Sequence, residues 1–123
     1  MSVQVILNQK GPLPISVNFT APGDSPYYLE VNGSVWTTTA NSMIGIQVEL
    51  DGQVLGTAQI FSNTASTHRA VVPGYFPIQL AYGKQHTLTL SPTAGATTSD
   101  YNDFFTVVIH YLNLTETATD LSA

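Results

Sequence analysis

Thr97 to Leu112, TTSDYNDFFTVVIHYL, sets a polar loop, Asp100-Tyr101-Asn102-Asp103, directly against a strand that is apolar on both faces. From Phe104 onward one parity reads Phe105, Val107, Ile109 and Tyr111, and the other reads Phe104, Thr106, Val108, His110 and Leu112. A strand with no plain solvent face is covered twice, by the domain's own core and by a second surface. The loop before it gathers two carboxylates and a carboxamide, the densest set of hard oxygen donors in a chain with few charges.

Period-two alternation recurs along the chain and no segment carries apolar residues at helical spacing over three turns. Tyr27 to Trp36 places Leu29, Val31 and Val35 on one face and Tyr28, Glu30, Asn32, Ser34 and Trp36 on the other. Met43 to Leu50 alternates Ile44, Ile46, Val48 and Leu50 against polar neighbours, and Asp51-Gly52 then supplies the two positive-φ positions of a type I′ hairpin. Pro77 marks its segment as an edge or a bulge. Eight to nine short strands, spaced at about ten residues, predict an all-β fold, a two-sheet β-sandwich of jelly-roll type. Residues 1–112 read as a single domain and 113–123 as a loose polar C-terminal tail.

Composition excludes several classes of function. Lys10, Arg69 and Lys84 stand against eight acidic residues, for a net charge of −5, so the cations that nucleic acid binding needs are missing. Without cysteine there is no disulfide framework, thiolate nucleophile or cysteine-ligated zinc. No basic segment leads into a continuous apolar run at the start, so no signal peptide is read; no stretch suits membrane insertion, and the location stays open. Charged residues make up 9% of the chain, against about 25% in ordinary globular domains. Such a surface suits subunit packing or neutral hydroxylated ligands.

Asp100, Asn102 and Asp103 are the candidate metal ligands, because a tight loop can deliver several oxygens to one hard cation such as calcium. The same residues also suit a turn in which Asp and Asn side chains bond their own backbone. Tyr101, inside that loop, and Trp36, near a strand end, are candidates for stacking on a sugar face. His68-Arg69 follows the polar SNTAST loop and joins them as a candidate ligand-binding pair on a loop-bearing rim. No nucleophile elbow, phosphate loop or zinc-protease motif is present, so the expectation is a protein that is not an enzyme.

Thr98-Ser99-Asp100-Tyr101-Asn102-Asp103, followed by Val107-Val108-Ile109, resembles the calcium loop of small bacterial lectins that bind fucose and mannose. That resemblance implies metal-ligand roles for Asp100, Asn102 and Asp103; the family's further acidic ligands fall here on Ala94 and Thr98. More diffusely, Tyr28 to Ser34, the Asp51-Gly52 hairpin and the Phe104-Phe105 strand are similar to jelly rolls of the tumour-necrosis-factor and complement globular-head superfamily. Members of that superfamily are typically trimers that bind partners without catalysis. The expectation is therefore a lectin-like, carbohydrate-binding module on an oligomeric jelly roll. A structural domain of tail-fibre or scaffold type is the alternative. A homotrimer is expected, with a dimer as runner-up, through Phe104, Val108, Tyr28 and Trp36 on the parities opposite the core.

Overall fold

A computed structural model describes residues 1–113; the expected tail, apart from Asn113, lies outside the described residues. Among the described residues ten strands form two antiparallel sheets: β1 (Ser2–Lys10), β2 (Ile15–Thr20), β3 (Asp24–Thr37), β4 (Ser42–Leu50), β5 (Gln53–Ser62), β6 (Arg69–Ala70), β7 (Gly74–Ile78), β8 (Gln85–Pro92), β9 (Thr97–Thr98) and β10 (Phe104–Leu112). The larger sheet runs β1-β10-β3, with β6, β7 and β9 all pairing to β3; the smaller runs β2-β8-β4-β5.

Setting aside the two-residue strands β6 and β9, the pairings nest along the chain: β4 with β5, β3 with β7, β2 with β8, and β1 with β10. That nesting, with the four pairs dealt between two sheets, is the connectivity of a jelly roll. The sandwich therefore follows the expected class, and the unexpected two-residue strand β9 takes the count to ten among the described residues, above the expected eight to nine. The expected strand beginning at His68 shrinks to β6, and His68 itself lies just ahead of it.

Leu29, Val31 and Val35 of β3 meet Ile44, Ile46 and Val48 of β4, Leu88 and Leu90 of β8, and Phe105, Val107 and Ile109 of β10, all fully buried. Each such side chain contributes about 1.5–3 kcal/mol relative to exposure. Gly33 makes room for this core, since a Cβ there would lie 2.5 Å from the Phe105 ring. The Asp51-Gly52 turn has φ of 52° and 82° and joins Leu50 to Gln53, as a type I′ hairpin requires. Pro77 sits in β7, whose pairing is to β3, so its missing N–H falls at an edge.

Among the described residues, nothing packs over Val3, Val5 and Phe104 on the outer face of the larger sheet. A register shift between Val5 and Leu7 turns Val3 and Val5 outward, 58% and 57% exposed, while Leu7 is buried. Phe104, one of the residues expected at an interface, is 46% exposed on the same sheet; Val108, Tyr28 and Trp36 are half-buried there.

Candidate functional site

β10 pairs β3 as far as Phe105 opposite Gly33, and β9 resumes with Thr98 opposite Trp36. Over that interval β3 advances three residues while the partner chain spends seven, so four residues loop out. Those extra residues account for the Asp100-Tyr101-Asn102-Asp103 loop, which is thus seated against the outward side chains at the end of β3.

Asp103 is the loop's anchor and is fully buried. Its Oδ1 accepts from the Ser34 hydroxyl at 2.8 Å and pairs with His68 Nδ1 at 2.6 Å; its Oδ2 accepts from the Asp100 N–H at 2.8 Å. The backbone closes around it, with Asp103 N–H bonded to the Asp100 carbonyl and Gly11 N–H bonded to the Asp103 carbonyl. Gly11 is required by contact, because a Cβ there would lie 2.6 Å from the Asp100 carbonyl oxygen. Asn102 N–H donates to Asp100 Oδ1 at 2.8 Å, so the turn reading of this sequence is realised as well.

His68 bridges the two carboxylates. Its Nδ1 meets Asp103, its Nε2 lies 3.9 Å from Asp100 Oδ2, and its ring sits 5.9 Å from that of Trp36. The hydrogen bond to Asp103 raises the His68 pKa above its ordinary 6.5; partial burial opposes this, and the charges of Asp103 and Asp100 add to it. Two carboxylates brought this close repel each other, and they favour the protonated form of the histidine held between them.

Of the expected site residues, Asp100, Asp103, His68 and Trp36 come together. Tyr101 stands 75% exposed on the same loop, and Asn102 is exposed beside it. Arg69 is not brought to the cluster: its guanidinium donates to Thr64 Oγ1 at 3.3 Å. Ser34 was not anticipated; its place on the Trp36 parity is the signal that would have found it.

Among the described residues, His68, Asp100 and Asp103 form a group able to hold a metal, with one ligand atom from each within 4.8 Å of the others. The donor chemistry fits calcium poorly. Calcium takes six to eight oxygens, whereas this set offers a nitrogen, a half-exposed carboxylate, and a buried carboxylate already accepting from three donors. A surface cleft of about 820 Å³ lies at the other end of β3, lined by Pro26, Tyr27, Leu50 and Ile78. Asp51 at its edge is committed to His86 Nδ1 and the Thr87 N–H.

No family model matches the sequence, and no curated protein matches it. Solved structures with similar folds include the C-terminal domain of EclA, a sugar-binding protein, at 18% identity and TM-score 0.45, covering 84% of this chain and 69% of that one. A family 35 carbohydrate-binding module from Clostridium thermocellum overlaps at 7% identity and TM-score 0.47, covering 89% and 92%. A CBM36 module in complex with calcium and xylotriose overlaps at 14% identity and TM-score 0.41, covering 91% and 100%. The jelly-roll assignment rests on the nested strand pairing of this chain.

Proposed function

We propose that this protein is a non-catalytic, lectin-like module that binds a neutral sugar at the rim formed by Trp36, His68, Asp100 and Tyr101. The observation that supports it is the placement of His68 Nε2 and Asp100 Oδ2, 3.9 Å apart, beside the Trp36 ring. A sugar hydroxyl bridging them accepts from the imidazolium N–H and donates to the carboxylate, while an exposed aromatic such as Tyr101 packs on the sugar's apolar face. Asp103, with both oxygens engaged inside the fold, orients His68 and is withheld from acid–base work; a glycosidase needs two carboxylates facing a cleft.

In this reading His68 supplies the positive charge that calcium supplies in the lectins the loop resembles. A glycan array followed by calorimetry tests it. Binding is expected to persist in chelator and to be lost in both His68→Gln and Trp36→Ala. Absence of any glycan signal, or variants that bind like wild type, overturns the reading.

The exposure of Val3, Val5 and Phe104 favours a second reading, a structural or assembly domain that forms the expected homotrimer, or a dimer, through the open sheet face. Light scattering distinguishes it, since a 13.2 kDa monomer at micromolar concentration removes that interface.

A further inference from the structure

The outward side chains of β3 form one continuous row. It begins at Tyr28, whose ring stacks on His110 at 4.3 Å and 7° and sits 6.4 Å from Tyr75. It passes Glu30, Asn32 and Ser34 and ends at Trp36 beside His68. The row is therefore aromatic at both ends and hydrogen-bonding in between. At roughly 3.3 Å per residue, Tyr28 and Trp36 are separated by about 26 Å, a span of several sugar residues.

Among the described residues this row is partly exposed along its length, and the Asp100–Asp103 loop covers it only at Ser34. Val3, His110, Tyr28 and Pro77 lie in register across β1, β10, β3 and β7, as do Val5, Val108, Glu30 and Tyr75. Tyr75 is 59% exposed, the most open ring of the first cluster. Glu30 is held on the face by its neighbours, because its Oε1 lies 3.0 Å from His110 Nε2 and its other oxygen accepts from Asn32 Nδ2 at 3.3 Å.

We propose that this face extends the rim site into a track for a linear, neutral glycan, with Tyr28, Tyr75 and His110 as its second stacking platform. The proposal rests on the sugar-binding reading of the Trp36–His68 rim. Flat pyranose rings meet the aromatic clusters at the two ends, and sugar hydroxyls meet Glu30 and Asn32 between them, Ser34 being engaged by Asp103 beneath the loop. A second copy of the chain is the weaker occupant: the centre of a subunit interface is depleted in charged groups, and here Glu30 occupies the middle strand of the face.

The test is calorimetry with cello- and xylo-oligosaccharides from disaccharide to hexasaccharide, on the full chain. Affinity is expected to rise at least tenfold across either series. Tyr75→Ala is expected to abolish that rise and Tyr75→Phe to retain it, with melting curves establishing that both variants fold. Binding that is independent of length, or no binding to any member of either series, overturns the track, while the rim reading falls only if the glycan array gives no signal. An oligomer by light scattering that Tyr75→Ala dissociates assigns the face to a second copy and overturns the track.

Discussion

His68 Nδ1 lies 2.6 Å from Asp103 Oδ1, and the pair spans the surface: Asp103 is fully buried, whereas the His68 side chain is 37% exposed. The buried end takes two further hydrogen bonds, from Ser34 Oγ and the Asp100 backbone, and so fixes the loop. The exposed end is left to present Nε2 beside Asp100. Asp103→Asn keeps the shape but puts an NH₂ group where one carboxylate oxygen accepted hydrogen bonds. At least one donor then loses its partner, and a loss of about 1–3 kcal/mol is expected. Urea unfolding at fixed pH measures it; a loss within about 0.5 kcal/mol, the range of neutral surface changes, would show that the loop stands without this anchor.

The pH dependence has two limbs, read on protein in chelator. His68 has a raised pKa in the folded state, so its stabilising contribution is full below the unfolded value of 6.5 and is lost as pH climbs through the folded value. Asp51 has a lowered pKa, chiefly from its hydrogen bond to His86 and next from the Thr87 N–H. Its contribution is present above the unfolded 3.8 and disappears as pH falls through the depressed folded value. Melting temperature against pH is expected to soften on both sides, with His68→Gln removing the upper change and Asp51→Asn the lower. Identical profiles for wild type and both variants would count against these couplings.

The β4–β5 hairpin offers a test of backbone conformation free of packing. Gly52 has φ of 82° and a Cβ there would meet nothing within 4 Å, so any penalty at this position comes from the dihedral itself. Gly52→Val is expected to cost about 1–2 kcal/mol, and Gly52→Asn clearly less, because Asn visits the left-handed region more readily than a β-branched residue. Equal melting temperatures for the two variants would contradict the type I′ turn.

These elements differ in how far the sequence alone discloses them. The Asp51-Gly52 turn was legible because its information is local, two adjacent residues suited to positive φ. The parities of β3 and β10 were legible for the same reason. The outward turn of Val3 and Val5 was not, because it follows from a register shift against Val108 and Val107 of β10. The link between His68 and Asp103 spans 35 residues, and that between Ser34 and Asp103 spans 69. Only the pairing of β3 with both β6 and the β9–β10 segment brings those side chains together. Both carboxylates are legible in the sequence, which points to calcium or a turn, but nothing local in it places His68 between them.

If His68 is the counter-ion of Asp100 and Asp103, calcium must displace an imidazolium already held at 2.6 Å and dehydrate into a set with few free oxygens. Millimolar calcium and chelator are then expected to give the wild type the same melting curve at pH 6, where His68 is charged. Removing the internal cation reverses the balance. In His68→Gln the two carboxylates stay close without compensation, and a divalent cation gains what the imidazolium supplied. Ligand that binds only the folded state stabilises by RT ln(1 + [L]/Kd), about 2.7 kcal/mol at a hundredfold excess over Kd. Calcium is therefore expected to raise the melting temperature of His68→Gln by several degrees, and Asp100→Asn in the same background is expected to cancel the gain. A calcium shift as large in wild type as in His68→Gln would mean that the loop binds the metal with His68 in place, and the counter-ion role assigned to His68 would be lost.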